Sequence, residues 1–181
     1  MTIEKSKKHS PLSSWTDSDL AEAIRESNIE AFETLYFRYY DALFRYVWYR
    51  IRSTEDARDM LQVLFTRVWM NRRTLDPGKS IKAYLYRIVN HLLIDNYRMK
   101  PFDRLDDSET PISASETDIE LRMDIESAIA SLPDSIRETF ILNRFQGLTY
   151  AEITDVYKIS VKTVENRMSR ALELLRKKLT D

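Results

Sequence analysis

Cysteine is absent from this chain, which excludes a disulfide framework and any thiolate metal site and fits a reducing compartment. Glycine occurs only at Gly78 and Gly147, so there is no glycine-rich phosphate loop. Strand-like runs and strand–helix alternation are missing too, which removes Rossmann, P-loop and barrel folds. No stretch has the length and apolarity of a membrane span. The first residues, polar and lysine-bearing, resemble a loose tail and not a signal peptide. No carboxylate pair, nucleophile with a base, or metal cluster stands out, so the chain is expected not to be an enzyme and to need no cofactor. His91 is a lone histidine and reads as structural.

What remains is a helix-forming sequence of 181 residues, 43% hydrophobic, with proline confined to Pro11, Pro77, Pro101, Pro111 and Pro133. The predicted fold class is all-α. Its net charge of −1 is unevenly spread: residues 1–100 hold 17 Lys+Arg against 13 Asp+Glu, residues 101–131 hold 2 against 9, and residues 132–181 hold 9 against 7. Two mildly basic blocks therefore flank an acidic connector, and attraction to a phosphate backbone follows that local pattern.

The most informative stretch is 148–179. Thr149 followed by Glu152 is a capping box that starts a helix at Tyr150, with Ile153 and Val156 inward. After the break at Lys158-Ile159-Ser160, Ser160 caps a second helix with an apolar stripe of Val161, Val164, Met168, Leu172, Leu175 and Leu179. The other face carries Lys162, Thr163, Glu165, Asn166, Arg167, Ser169 and Arg170, long hydrogen-bonding side chains where a recognition helix meets base edges and phosphates. For these residues alone, an amphipathic helix pair with a solvated face is the alternative.

Earlier in the chain, Asp17 is expected to cap a helix through Ser27, and Asn28 the next, from about Ile29 to Arg52. That helix bears two stripes: Phe32, Leu35, Tyr39, Leu43, Tyr46 and Val47, then Phe37, Tyr40, Phe44 and Trp48. Such a helix is either sandwiched between neighbours or holds one face for a partner, and burial of both stripes is the favoured expectation. Ser53 and Asp56 open a third helix with Ala57, Met60, Leu61, Leu64, Phe65, Val68 and Trp69 inward and Asp59, Gln62, Val63, Thr66 and Met70 outward. That outer mixture suits either a docking surface or a solvated one. Residues 75–79 form a loop around Asp76-Pro77-Gly78. Ser80 caps a fourth helix, with Ile81, Leu85, Ile88, Val89 and Leu92 inward and Lys82, Tyr86, Arg87, Asn90, Tyr97 and Arg98 outward. Cations with interleaved rings suit an unpaired strand, although tyrosines at helical spacing are more often packed.

The acidic, proline-bearing stretch 102–115 reads as a flexible linker. Helical signals resume near Thr117 with Ile119, Met123, Ile125, Ala128 and Ile129; Pro133 then starts a helix bearing Ile136, Phe140, Ile141 and Phe145, which Gly147 ends. The domains are accordingly a tail at 1–15, a helical domain at 16–100, a linker at 101–116, and a four-helix domain at 117–181, winged-helix-like without the wing.

In this order, several motifs resemble an extracytoplasmic-function sigma factor, of the sigma-70 family of bacterial RNA polymerase. Asp56-Ala57-Arg58-Asp59-Met60-Leu61-Gln62-Val63-Leu64-Phe65 is similar to the family's polymerase-gripping segment. Lys82-Ala83-Tyr84-Leu85-Tyr86-Arg87-Ile88-Val89-Asn90 resembles its promoter-melting helix, and Leu132-Pro133, Arg137, Gly147-Leu148-Thr149-Tyr150, Glu152-Ile153 and Val164 its upstream-element reader. Three positions depart from the family: Val63 stands for the usual Glu, Tyr84 for a frequent Trp, and Thr154 for a small residue. The tyrosine-rich helix faces and the run Val161-Lys162-Thr163-Val164-Glu165-Asn166 look most like members from the Bacteroides lineage.

The resemblance implies a cytoplasmic subunit that directs core RNA polymerase to promoters and assists melting. Its partners would be core polymerase, through the β′ clamp and β flap, promoter DNA, and an anti-sigma factor, with no direct membrane insertion. Asp59, Gln62, Val63 and Thr66 would meet the clamp. Lys79, Lys82, Tyr86, Arg87 and Asn90, with the loop 75–79, would hold the melted minus-10 strand. Lys162, Thr163, Glu165, Asn166, Arg167, Ser169 and Arg170 would read the minus-35 duplex, and the acidic connector would thread polymerase channels. Two rivals remain at this point: an autonomous LuxR-like helix-turn-helix regulator, which would need a dimer, and a protein-only helical adaptor.

Overall fold

The structure, a computed structural model, describes residues 12–99 and 125–180, and among these there is no strand. The described elements fall in two compact units, one within Met1–Asp103 and one within Arg104–Asp181. The linker expected at 101–116, and the helical signals at Ile119 and Met123, lie outside the described residues.

In the first unit a 3-10 turn (Leu12–Ser14) leads into α1 (Asp17–Arg25), α2 (Ile29–Ile51), α3 (Thr54–Met70), a 3-10 turn (Arg72–Thr74) and α4 (Ile81–Met99). Thr16, not Asp17, caps α1: its side chain accepts the Asp19 N–H while Asp19 reaches back to the Thr16 backbone. Asp17 is otherwise engaged, because its carboxylate accepts from Arg38 at 2.7 Å and from the Tyr39 hydroxyl. Burial and the Asp17 charge push the Tyr39 phenol far above its ordinary range, so it stays a donor. α1 stops at Arg25, before the left-handed Ser27 (φ 69°).

Asn28 caps α2 and Ser53 caps α3 as the sequence predicts, through the N–H groups of Ala31 and Asp56. Leu20, Ile24, Leu35, Leu43, Leu61 and Leu64 are almost fully withdrawn from water, each contributing about 1.5–3 kcal/mol. The second α2 stripe is not sandwiched. Phe37 is 75% exposed, and Tyr40 stacks on Phe44 at 6.1 Å in a half-buried row. α2 meets α1, α3 and α4 along its other stripe.

α4 departs most from expectation. The side chains inside are Ile81, Ala83, Leu85, Tyr86, Val89, Asn90 and Leu93, whereas Ile88 and Leu92 are only half-buried. Contacts with α1, α2 and α3 enclose α4 over more than half its circumference, which draws in the Tyr86 and Asn90 side that composition assigned to solvent. Tyr86 packs edge-on against Tyr46 of α2, at 5.1 Å and 83°.

The second unit comprises helical residues 125–130 (α5), α6 (Asp134–Arg144), α7 (Tyr150–Tyr157) and α8 (Val161–Thr180). Pro133 occupies the cap position of α6 and not its first turn. Arg137 folds back onto the carbonyls of Ala130 and Leu132, tying α6 to the end of α5. Phe145 lies outside the core, 61% exposed. Gly147 takes φ 64°, and the chain turns so that the Leu148 N–H reaches the Leu142 carbonyl at 2.9 Å.

Candidate nucleic-acid interface

α7 and α8 form the helix-turn-helix that the capping signals anticipate. Thr149 and Glu152 make the reciprocal box, Lys158 turns left-handed (φ 55°), and the Ser160 hydroxyl accepts the Thr163 N–H at 3.1 Å. Ile153 and Val156 are buried as read. The α8 stripe is corrected: Val164, Met168 and Ala171 face inward, while Val161, Leu172 and Leu179 are exposed. Viewed down the axis, Ala171 lies about 20° to one side of Val164 and Leu172 about 80° to the other. Close packing on α6 and α7 selects the small residue over the larger flank.

The opposite side of α8 presents most of the expected polar set. Lys162, Glu165, Asn166, Ser169 and Arg170 are exposed; Lys162 pairs with Glu165 at 3.4 Å and Arg170 with Glu173 at 2.7 Å. These are surface pairs, worth little and readily exchanged for phosphate. Two residues fall outside this face. Thr163 is half-buried with its hydroxyl 2.9 Å from that of Ser160, and Arg167 reaches back to the Thr139 hydroxyl of α6 at 3.4 Å.

In the first unit the expected strand-holding set separates. Lys79 is exposed, 3.5 Å from Asp76, and Lys82 and Arg87 are half-buried. Tyr86 is fully buried and Asn90 is 7% exposed, so neither is on the surface. Burial first, then the neighbouring Tyr46, raises the Tyr86 phenol far above its ordinary range. Tyr97 and Arg98 have no described side chains. The outer face instead carries Tyr84, Arg87, His91 and Asp95, with the Arg87 guanidinium 5.4 Å from the Tyr84 ring centre. His91, expected to be structural, is exposed. Composition alone missed Tyr84 and His91 as surface residues; a helical wheel centred on Val89 finds them.

A third surface lies on α3. Asp59, Gln62, Val63 and Thr66 are exposed and line one shallow depression with Arg67, following the helical spacing of a single face. Among the described residues no group of His, Asp or Glu could hold a metal ion, and no helix is long and apolar enough to cross a membrane.

Two family models match this chain: sigma-70 region 2 over residues 35–100 and sigma-70 region 4 over residues 122–175. The chain belongs to the sigma-70 family. It is similar to the ECF RNA polymerase sigma factor SigW of Bacillus subtilis, 27% identical over 87% of this chain and 94% of that one. The RNA polymerase sigma-H factor of Pseudomonas aeruginosa is 26% identical, over 90% and 93%. Among solved structures, CnrH in complex with the cytosolic domain of CnrY aligns with a TM-score of 0.69 at 27% identity, covering 91% of this chain and 97% of that one. The sigma factor RpoE of Bartonella quintana, bound to the anti-sigma factor NepR, shares the fold: TM-score 0.66 at 18% identity, over 82% and 96%.

This sigma factor is of the extracytoplasmic-function group and directs RNA polymerase to promoters. Sigma factors bind core polymerase and promoter DNA, and the family is a non-catalytic initiation factor. Neither the LuxR-like regulator nor the protein-only adaptor is favoured.

Proposed function

We propose that this sigma factor grips polymerase through the outer face of α3, reads the minus-35 duplex with α8, and holds the unpaired minus-10 strand along the loop 75–79 and the outer face of α4. Asp59, Gln62, Val63 and Thr66 meet the clamp. Lys162, Asn166 and Arg170 make the duplex contacts with Glu165 and Ser169 beside them, while Thr163 and Arg167 position α8 from behind. Lys79 and Lys82 track phosphates, and Tyr84 with Arg87 stacks on an unpaired base. Tyr86 and Asn90 hold α4 in place.

One observation carries the melting role: a half-buried ring and guanidinium lie together on the outer face of α4. Such a surface favours the open strand over the duplex, and opening follows from that differential binding with no covalent step. Unstacking costs on the order of a few kcal/mol per flipped base, the scale that one stacking site offsets. Run-off transcription with core polymerase and a genomic fragment pool tests the whole assignment: promoter-dependent transcripts require this chain. The absence of both transcripts and co-purification with core would overturn it.

The proposed domains at 16–100 and 117–181, joined by a linker at 101–116, are supported by the matches at 35–100 and 122–175. Limited proteolysis is expected to cut first within 101–116. The setting is cytoplasmic, where polymerase works. An anti-sigma partner belongs to the same proposal, by likeness to CnrH, which is held with the cytosolic domain of CnrY. Placement in the Bacteroides lineage rests on the tyrosine-rich faces and the 161–166 run; equal transcription with core enzyme from an unrelated phylum would remove its basis.

A further inference from the structure

We propose that α1 is a splint for the loop between α3 and α4, and that Ser18 and Ser27 are positioning residues for minus-10 discrimination. The inference rests on the assignment of that loop to the unpaired strand.

The loop is held in three ways. Leu75 and Ile81 anchor its ends in the core, at 7% and 4% exposure. Within it, the Asp76 carboxylate accepts the Gly78 N–H and the Asp76 carbonyl accepts the Lys79 N–H, both at 3.0 Å, a local turn. The third hold comes from outside. The Ser18 hydroxyl donates to the Pro77 carbonyl at 2.8 Å across 59 residues of sequence, and Arg72 Nε donates to the Ser27 hydroxyl at 2.9 Å across 45. Ser18 lies in the first turn of α1 and Ser27 just past its end, so the two ends of one short helix clasp the two sides of the connection.

α1 is rigid enough for this. Its start is closed by the Thr16–Asp19 box, and Leu20, Ala21 and Ile24 are buried. Past its end, the N–H groups of Ser27 and Asn28 bond to the carbonyls of Ile24 and Ala23 at 2.8 and 3.0 Å. Ser27 sits at φ 69°, a conformation that glycine adopts more cheaply, and its hydroxyl is what a glycine would lack. Arg72 is also committed to structure: it donates to the Trp69 carbonyl at 2.9 Å and lies 4.5 Å from the Trp69 ring centre. Both serines are exposed and outside the core. A preordered loop loses less freedom when it takes up a strand, and a fixed geometry separates a matching base from a wrong one.

These features give stability-neutral variants for the test. Ser18→Ala keeps a good helix former, and Ser27→Gly relieves the left-handed backbone. Because the chain has no cysteine, a spin label on Lys79→Cys is a unique probe of loop motion in the DNA-free chain, with discrimination measured separately in chains that keep Lys79. Fork templates with matched and mismatched minus-10 elements, assayed with core polymerase, measure discrimination. In the double variant the label is expected to become more mobile and the matched-to-mismatched ratio to fall about three- to tenfold, the scale of one or two exposed hydrogen bonds. Tm, core binding and upstream duplex binding hold, and Ser18→Thr restores the ratio lost in Ser18→Ala. An unchanged label and ratio, with Tyr84→Ala still lowering open complexes, would overturn the splint while keeping the strand assignment. If Tyr84→Ala and Lys79→Ala are also silent, both fail. A fall in Tm parallel to the loss of discrimination, without rescue by Thr, would reduce the serines to ordinary structural residues and overturn the proposal.

Discussion

α4 and α8 are nearly equal in length, 19 and 20 residues, and both were expected to show nucleic acid a polar face. They differ in how many neighbours enclose them. α8 packs on α6 and α7, and most of its polar set stays outside. α4 meets α1, α2 and α3, and two of its four expected strand contacts, Tyr86 and Asn90, are inside. A helix packed along one arc shows its outer face in its sequence. A helix packed on three sides does not, because its polar and aromatic residues are also needed as core.

Substitutions can break or sharpen this contrast. The largest effect is expected for Tyr86→Ala, which leaves a cavity against Tyr46 and should cost about 3–5 kcal/mol, lowering the Tm of the first unit by more than about 10 °C. An unchanged Tm with lost melting would return Tyr86 to the surface and erase the contrast. Tyr84→Ala, two residues away, should leave Tm nearly untouched. Loss of a stacking site worth about 1–3 kcal/mol should lower open-complex formation roughly ten- to hundredfold, read by permanganate reactivity of unpaired thymines. Equal loss of core binding would point to misfolding instead.

Within α8, Arg170→Ala should reduce the slope of log affinity against log salt on minus-35 duplex by about one, as expected for a lost phosphate contact. Arg167→Ala should leave that slope and lower stability slightly, because its guanidinium faces Thr139. Matching slopes for the two would place Arg167 on the DNA side after all. The smallest effect is expected for Leu172→Gln, within about 0.5 kcal/mol by thermal melting, since that side chain is 44% exposed. A clear loss would restore the stripe that Leu172 was read into.

Helix existence and most starts were legible because capping is local. Asn28, Ser53, Ser80 and the Thr149–Glu152 box each act within three residues. Two starts shift by one residue: Pro133 takes the cap position of α6, and at α1, where Thr16 and Asp17 can both begin the helix, contact with Arg38 and Tyr39 draws Asp17 away. The set proposed to meet polymerase, Asp59, Gln62, Val63 and Thr66, was legible as one outer face, since α3 has a single clear core stripe. The second α2 stripe was not, because two apolar stripes on one helix leave the buried one to be chosen by neighbours.

By itself the sequence determined an all-α chain, most of its caps, the acidic break between two basic blocks, and the order of motifs that marks a sigma factor. These depend on spacing along the chain, which one helix expresses alone. Only the tertiary structure decided that Tyr86 and Asn90 belong to the core, that Ala171 displaces Leu172 from the α8 seam, and that Ser18 and Ser27 clasp a loop some fifty residues away. Those outcomes depend on which helices meet and how closely, and local periodicity carries no record of the neighbour.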